Sequence, residues 1–379
     1  MKAFSLTPEQ MAVVIAALIA DELAVRFGRH IDSMTSAAWN HQTRFDEDGV
    51  SLNEIERAAC AGRVLRFYGL DGFAADDLPR GGIGDWALLT SRASQQHQKI
   101  FRFTAAGDDA REFTHDADSI YGDAAAAANL LKGRRRTIAL VAPHGLVAFV
   151  LTVLAPNLLQ IPALDARALD PDALSQTLSY GDAVVATPTQ WRYLMREGLK
   201  APDNTIGVFF GEPMSSELAA AMRKAGFSAQ REIYGSTESG LIGWRDSTVE
   251  PFVLFDHWLR FEGGIDRALP TGVVSRLTPP DALQWISERR FLLGGRTDGA
   301  VQVGAVNVFP ARIAARIAEH PQVAECRIDV VKDDAGANRL IANVRLKTHA
   351  ATEPVARAID AWCRTRLAPH ERPRVYHFQ

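Results

Sequence analysis

Residues 99–296 of this 379-residue chain alternate short apolar, β-branched runs with stretches of helical periodicity. Four of the runs have the length and composition of buried strands: TIALVAP, DAVVAT, TIGVFF and EIYG. Helix-like stretches lie between them, over 148–159, 171–178, 188–197 and 215–226. Because parallel strands must be joined by crossover segments, usually helices, this alternation predicts an α/β sheet.

The segments on either side have a different pattern. Residues 1–95 are nearly all helical in character, with helices predicted over 51–68 and near 84–91. After residue 296 the chain combines the strand-like runs VQVGAVNVFP, AECRIDVVK and LIANVRLK with helices over 311–320 and 353–367, which indicates a small α+β lobe. We therefore divide the chain into a helical segment (1–95), a large α/β lobe (96–296) and a small α+β lobe (297–379).

The beginning of the first helix is marked by Thr7, Pro8 and Gln10, since Thr can cap, Pro suits the first turn and Gln can complete a capping box. The apolar stretch 11–20 is shorter than the ~20 residues that a membrane span needs. Acidic residues follow it from Asp21, unlike the end of a secretory signal. We predict an amphipathic helix of a protein that does not enter the membrane.

Charge and cysteine content exclude several classes of protein. Lys and Arg number 42 against 45 Asp and Glu, a net charge of −3 that supplies no attraction to nucleic acid. The 3 cysteines lie far apart, and neither His115 nor His144 has a second ligand at metal spacing, so no disulfide framework or zinc site is expected. This composition favours a reducing, cytoplasmic setting.

The strongest local motif is Tyr234-Gly235-Ser236-Thr237-Glu238, directly after an apolar strand-like run. A glycine and two hydroxyls at a strand end can form a turn that faces a ligand at the carboxyl edge of a sheet. The glutamate suits a hard cation such as Mg²⁺, which prefers oxygen ligands. A plain strand-to-loop turn with a solvated glutamate explains the same five residues.

About sixty residues later the chain has Gly295-Arg296-Thr297-Asp298, followed by the run VQVGAVNVFPARIAARIAEHPQVAECRI. With these motifs in this order, the last 280 residues or so resemble the adenylate-forming superfamily, which contains acyl-CoA and aryl-CoA ligases and carrier-protein ligases. The resemblance implies that Tyr234 lies against adenine, that Thr237 and Glu238 serve phosphate and Mg²⁺, that Arg296 contacts the nucleotide, and that Asp298 is the hinge between the lobes.

Two further stretches fit the same resemblance. Gly211-Glu212-Pro213 resembles the strand-end turn that borders adenine. Asp281, in LTPPDALQW, stands where the family places an acid on the ribose hydroxyls, and its two acceptor oxygens suit a vicinal diol. An ordinary loop aspartate after two prolines is the alternative.

Among these proteins, the sequence is most similar to a short coumarate-CoA-ligase-like group. The resemblance implies attack of an aryl or fatty acid carboxylate on the α-phosphate of ATP, with Mg²⁺ and basic side chains stabilising the charge. The adenylate then passes to the thiol of CoA or of an acyl carrier protein. ATP or AMP, Mg²⁺ and a thiol carrier are thus the implied ligands.

The phosphate loop of the family, rich in Ser, Thr and Gly and ending in Pro-Lys, is degenerate here. The aligned residues 103–111 include Asp108 and Asp109, and two carboxylates beside a triphosphate oppose its binding unless a metal intervenes. Arg111 keeps the positive charge of the missing lysine, although the two cations differ in geometry.

Three further departures concern the acyl pocket, the thiol tunnel and the chain end. Gly145 follows His144 where the family commonly has a second His or aromatic residue, so the shape of the acyl pocket is expected to differ. Ala305 falls where a glycine borders the thiol tunnel, one residue after Gly304. The sequence ends at HERPRVYHFQ, before the family's catalytic lysine, either because the chain ends there naturally or because the sequence lacks its tail. These departures favour an alternative, a non-catalytic relative that acts as a binding or scaffold partner in an aromatic-acid or polyketide-like pathway.

The helical segment is itself similar to an acyl carrier domain, in which a serine at the start of the second helix holds a phosphopantetheine arm. Ser51 occupies that place, in Val50-Ser51-Leu52, where carriers usually have Asp-Ser-Leu. The competing interpretation makes Ser51 a helix N-cap, with Glu54 completing a capping box.

Overall fold

The structure is a computed structural model that describes residues 6–105, 111–268, 274–279, 281–296, 299–303, 306–333, 338–347 and 352–378. It has the mixed α/β architecture that the sequence predicts. Its helices are α1 Pro8–Phe27, α2 Ser33–Ala38, α3 Glu54–Phe67, α4 Ile83–His97, α5 Ala117–Leu131, α6 Leu146–Phe149, α7 Ala155–Leu159, α8 Pro171–Thr177, α9 Pro188–Arg196, α10 Ser216–Lys224, α11 Pro310–Ala318 and α12 Thr352–Arg366. Within these ranges no helix is both long enough and apolar enough to cross a bilayer.

The strands form one large sheet and several small ones. They are β1 Ile100–Thr104, β2 Glu112–Asp116, β3 Arg136–Ala139, β4 Ala163–Asp165, β5 Asp182–Ala186, β6 Ile206–Phe210, β7 Ala229–Ser236, β8 Gly240–Arg245, β9 Phe252–Leu254, β10 Trp258–Phe261, β11 Gly264–Ala268, β12 Val274–Leu277, β13 Asp281–Trp285, β14 Arg290–Arg296, β15 Val301–Val303, β16 Val306–Val308, β17 Val323–Lys332, β18 Asn338–Leu346 and β19 Val375–Phe378. The four strands predicted from their β-branched runs are β3, β5, β6 and β7.

The large sheet has nine strands in the order β13-β14-β9-β8-β7-β6-β5-β3-β4. Strands β4, β3, β5, β6 and β7 are parallel, and the remaining neighbours pair antiparallel. The carboxyl ends of the parallel strands therefore meet at one edge, where open α/β sheets bind their ligands.

Both faces of the parallel part are covered, which explains why its strands are apolar throughout. All five residues of β5 are buried. Ala183 and Val185 belong to one hydrophobic core, and Val184 and Ala186 belong to a second core on the opposite face. This two-sided burial is characteristic of parallel sheets.

Helix α1 begins as predicted, but it is not amphipathic. The Gln10 backbone N–H donates to the Thr7 hydroxyl at 3.3 Å, and the Thr7 N–H donates to Gln10 Oε1 at 3.0 Å. Ten of its twenty residues are buried, including the continuous run from Val14 to Ile19. The prediction fails because α1 is enclosed: α3 and α4 pack on it, and Asn157 of α7 donates to Gln10 Oε1 at 2.7 Å.

The prediction that Ser51 is a helix N-cap is wrong. Helix α3 begins at Glu54, and Asn53 caps it by accepting the N–H of Glu56 at 2.9 Å, while the Glu56 carboxylate accepts the Asn53 N–H at 3.0 Å. Asn53 can do so because its short side chain reaches the first free N–H groups. Ser51 lies exposed in the preceding loop, where its carbonyl accepts Arg29 Nη1 at 2.6 Å.

The helical segment shares one hydrophobic core with the large lobe, running from Leu6 to Phe291. Phe67 at the end of α3 packs edge-on against Phe103 of the β1–β2 hairpin at 5.0 Å and against Phe149 of α6 at 5.3 Å between ring centroids. The boundary predicted at residue 95 therefore has continuous packing across it.

We expect Phe67→Ala to lower the free energy of unfolding by about 3–5 kcal/mol, because it leaves a cavity among fully buried aromatic rings. Urea unfolding followed by circular dichroism measures this change. Val25→Ala, at a helix position that is 65% exposed, is the control and should shift stability by less than about 0.5 kcal/mol. A Phe67→Ala protein as stable as the control would contradict the shared core.

Candidate active site

An open cavity of about 1080 Å³ lies at the carboxyl edge of the parallel strands, with walls from both lobes. Twelve predicted site residues line it: Arg111, Gly145, Gly211, Glu212, Pro213, Tyr234, Gly235, Ser236, Thr237, Glu238, Asp281 and Arg296. Of the other predicted residues, His144 and Ser51 are not among those that line it. Asp298, Asp108, Asp109, Gly304 and Ala305 lie outside the described residues.

Tyr234 and Asp281 meet although they are 47 residues apart in sequence. The Tyr234 hydroxyl donates to Asp281 Oδ2 at 2.8 Å, and Arg296 Nη1 lies 3.9 Å from the same oxygen. Strand pairing explains the arrangement, because Asp281 on β13 is the register partner of Arg296 on β14. Burial raises the pKa of Tyr234, so the phenol stays protonated as a donor.

Gly211, Glu212 and Pro213 form the turn that follows β6. Gly211 has a φ of 91°, a left-handed conformation that a side chain would strain. The Glu212 carboxylate accepts from Thr189 Oγ1 at 2.7 Å and from Arg192 Nη2 at 2.8 Å, both on α9. The turn is thereby anchored to α9 and presents its backbone to the cavity.

The turn after β7 places Thr237 and Glu238 in the cavity wall. It is closed by the hydroxyls of Ser236 and Ser239, 3.0 Å apart, and Ser236 Oγ also accepts the Ser239 N–H. No group of three or more His, Cys, Asp or Glu side chains suited to a metal occurs in the part of the chain that the structure describes. A single carboxylate such as Glu238 fits Mg²⁺, which is commonly held by one or two carboxylates together with substrate phosphates and water.

A buried ion pair lies behind this turn, between Asp123 of α5 and Arg267 of β11. Arg267 Nη2 lies 2.6 Å from Asp123 Oδ1, and both side chains are at most 4% exposed. Asp123 Oδ2 accepts the Leu241 N–H at 3.2 Å, and His257 Nε2 lies 3.1 Å from Asp123 Oδ1. The Ser119 carbonyl also accepts from Arg267. These residues were not predicted, because nothing in the local sequence links positions so far apart.

His115 of β2 supports the turn from a second direction. Its Nε2 lies 2.7 Å from the Thr237 carbonyl oxygen, and since a carbonyl only accepts, Nε2 carries the proton. Burial lowers the pKa of His115 and keeps the ring neutral. The sequence shows no second metal ligand at a suitable spacing from His115, and nothing in its local sequence predicts the contact with Thr237.

One part of the remaining cavity wall is apolar, and another part carries charged side chains such as Arg312, Arg316 and Glu319. Leu146, Val147, Ala148 and Phe210 line the apolar part, and an added methyl group at Gly145 would meet no atom within 4 Å. Close to Tyr234 on the same strand, the buried Glu232 carboxylate accepts Arg245 Nε at 2.6 Å. Burial raises the pKa of Glu232, which opposes the effect of Arg245.

Two predicted residues lie at the margins. Arg111, at the end of the β1–β2 turn, is exposed and stacks over Phe113 at 5.1 Å. His144 Nε2 lies 3.6 Å from Asp21 Oδ1 of α1, and its Nδ1 is buried without a hydrogen-bond partner among the described atoms. Burial lowers the pKa of His144. The neighbouring Gly145, and not His144, reaches the cavity.

We expect His115 to make stability depend on pH. A pKa lowered by folding means that protons bind the unfolded chain more tightly, so the contribution is complete above the ordinary pKa of about 6.5 and is lost as the pH falls below it. Each unit of lowering corresponds to about 1.4 kcal/mol. The free energy of unfolding should therefore fall less between pH 7.5 and 5.5 in His115→Gln than in the parent protein.

The exposed His30 offers a matched control, because His30→Gln should follow the parent curve. Urea unfolding at a series of pH values measures all three proteins. Identical pH dependence of His115→Gln and the parent would show that burial does not perturb this histidine.

Comparison with known proteins shows what the whole chain is similar to. Residues 312–379 match the model of the AMP-binding enzyme C-terminal domain. The chain is 29% identical over 373 residues to a 4-coumarate–CoA ligase of Halorhodospira halophila, covering 97% of this chain and 95% of that protein. It is 28% identical over 324 residues to a 4-coumarate–CoA ligase of Cereibacter sphaeroides, covering 81% and 78%.

Solved structures agree on the fold. An amide bond synthetase from Marinactinospora thermotolerans superposes with a TM-score of 0.60 at 17% identity, covering 74% of this chain and 65% of that one. A malonyl-CoA ligase bound to methylmalonyl-CoA and AMP superposes with a TM-score of 0.60 at 15% identity, covering 74% and 70%. Together with the sequence relatives and the matched C-terminal domain, they support membership of the chain in the adenylate-forming superfamily.

Proposed function

We propose that this protein is an AMP-forming ligase that joins an aryl or fatty acid to the thiol of CoA or of an acyl carrier protein. The observation that carries the proposal is the convergence of Tyr234, Asp281 and the Thr237–Glu238 turn on one cavity at the carboxyl edge of the sheet. Asp281 can accept from a diol, Thr237 supplies a hydroxyl, and Glu238 supplies a carboxylate for a metal. A nucleotide with bound Mg²⁺ requires these three kinds of group.

The reaction has two steps. The substrate carboxylate attacks the α-phosphorus of ATP, so that an acyl–phosphate bond forms and pyrophosphate leaves. The thiol then attacks the acyl carbon, a thioester forms, and AMP leaves. Mg²⁺, when bound, neutralises the charge that develops on the phosphate oxygens.

Residues of this chain would contact different parts of the nucleotide in these steps. Asp281 would accept from the ribose hydroxyls while Tyr234 holds its other oxygen. Thr237 and Glu238 would serve the α-phosphate and Mg²⁺, and Arg296 would supply a positive charge beside them. Arg111 is the cation of the hairpin turn, and its exposed position allows it to reach the pyrophosphate side of the nucleotide.

The apolar part of the wall is suited to the uncharged body of an acid. Leu146, Val147 and Phe210 offer no partner to a charge, and Glu232 is already paired with Arg245. An aromatic ring or an alkyl chain would gain about 25 cal/mol per Å² of apolar surface that it buries there. Because the relatives reported above are 4-coumarate–CoA ligases, aryl acids are the first substrates to test.

A non-catalytic relative is the second candidate, and the composition of the phosphate loop favours it. Asp108 and Asp109 lie in the loop where the family has hydroxyls and glycines, and Arg111 stands in place of the family's lysine. The loss of one charge-stabilising donor costs about 10²–10³ in rate in well-studied enzymes. Such a protein would keep the nucleoside contacts and bind an adenylate or its parts without forming one.

Exchange of radioactive pyrophosphate into ATP, over a panel of benzoates, cinnamates and fatty acids, distinguishes the two candidates. An active ligase shows exchange that depends on the acid. ATP or AMP binding by calorimetry without exchange would support the non-catalytic relative, and absence of both would reject the use of this cavity for a nucleotide.

We expect Asp281→Ala to weaken ATP binding about tenfold to a hundredfold, because a charged hydrogen-bond acceptor for the ribose is lost. Calorimetry measures the change in Kd, and the exchange assay measures the change in KM. Asp256→Ala is the matched control, because Asp256 is fully exposed and its ion pair with Arg289 at 2.8 Å is screened by solvent. Equal ATP affinity of the two variants would contradict the assigned role of Asp281.

The proposal for Ser51 is separate. Its exposed position before α3 is compatible with a phosphopantetheine arm, since the cap of that helix is supplied by Asn53. Incubation with a phosphopantetheinyl transferase and CoA should add the mass of one arm to the intact protein and none to Ser51→Ala. An unchanged mass of the parent protein would reject a carrier role.

A further inference from the structure

The hydrogen bond between His115 and the Thr237 carbonyl joins two parts of the cavity that are 122 residues apart in sequence. His115 belongs to β2, and the turn before β2 ends at Arg111. Thr237 belongs to the turn that carries Glu238. Arg111, Thr237 and Glu238 all line the cavity, and His115 is not among the lining residues. The histidine therefore holds the turn from behind its wall.

The ring of His115 is held in a defined environment. Phe103 of the partner strand packs edge-on against it, with 6.1 Å between ring centroids. The charged groups that act on it are Asp123 of α5, Arg267 of β11 and the neighbouring Asp116.

The direction of one N–H group follows from the geometry of the peptide bond. In a trans peptide the carbonyl and the following N–H point in opposite directions, and the described backbone contains no cis bond. The Thr237 carbonyl points to His115, behind the wall, so the Glu238 N–H points to the cavity side. No hydrogen-bond acceptor within the described parts of the chain takes up that N–H.

We propose that His115 is a positioning residue that fixes the Thr237–Glu238 peptide, so that the Glu238 backbone N–H donates to an oxygen of the substrate that gains charge during adenylation. The inference rests on the proposed ligase function. The inference adds the Glu238 backbone N–H to the donors of the site. The side chain of His115, outside the cavity, orients this N–H group. The same hydrogen bond keeps this turn in register with the hairpin that carries Arg111.

Two substitutions separate the hydrogen bond from the bulk of the ring. His115→Leu keeps an apolar side chain in the buried position and removes the donor. His115→Gln restores an amide donor at nearly the same distance along the side chain. We expect His115→Leu to lower kcat of ATP–pyrophosphate exchange by about 10²-fold, the effect of losing one preorganised donor, with KM for ATP changed less than threefold. His115→Gln should recover most of the lost kcat.

A buried histidine away from the cavity is the matched control. His320 in the small lobe is 7% exposed, its pKa is also lowered by burial, and it is not among the residues that line the cavity. His320→Leu should reduce stability without a comparable loss of kcat. A similar loss of kcat in both leucine variants, or no recovery with His115→Gln, would overturn the positioning role.

Amide hydrogen exchange tests the hydrogen bond between His115 and Thr237 without relying on enzyme activity. In the full-length protein, peptides covering residues 234–241 should exchange faster in His115→Leu than in the parent, and His115→Gln should resemble the parent. Unchanged exchange in His115→Leu would overturn the inference even if the parent is an active ligase. If the parent shows no pyrophosphate exchange, the proposed function fails. Faster amide exchange in His115→Leu than in the parent would in that case still support the hydrogen bond that orients the turn.

Discussion

The buried ion pair of Asp123 and Arg267 is the interaction on which the geometry of the cavity depends most. A carboxylate without water must have its oxygens satisfied, and here Arg267, the Leu241 N–H and His257 do this. Removing one partner from such a pair typically costs about 3–5 kcal/mol, because a charge is left uncompensated. The pair ties α5, β11 and the beginning of β8 together directly behind the Thr237–Glu238 turn.

The Asp123–Arg267 pair also explains why position 240 is a glycine. Gly240 has a φ of 75°, and a Cβ at this position would come within 2.2 Å of Asp123 Oδ2. Only glycine allows both the left-handed backbone and the close approach of the carboxylate. Gly240, which follows the site motif closely, is therefore required by the packing behind the turn.

Several parts of this fold could be predicted from the sequence because they follow from local chemistry. The β-branched runs are strands, since a sheet buried on both faces needs apolar residues throughout. Thr7 and Gln10 form a capping box because both partners lie within one helical turn. The motif residues Tyr234 and Asp281 meet in one cavity, as the family resemblance implied, and their roles toward a ligand stay predictions.

Other features could not be predicted because they depend on tertiary contacts. The sequence predicts that α1 is amphipathic, yet α3, α4 and α7 contact it, which no local pattern reveals. Ser51 has the side chain of a helix cap, but Asn53, two residues later, caps α3 and accepts its free N–H groups. The contacts of His115 with Thr237 and of Asp123 with Arg267 span more than a hundred residues, so sequence spacing contains no sign of them.

The packing of Phe67 against Phe103 and Phe149 has a consequence for how such a protein can be rearranged. A cut near residue 95 would pass through a hydrophobic core and leave apolar surfaces on both pieces. Residues 1–95 therefore cannot be exchanged between relatives as an independent module unless the facing aromatic side chains are exchanged with them. For protein engineering, the small lobe, whose core is separate, is the more suitable unit to transplant.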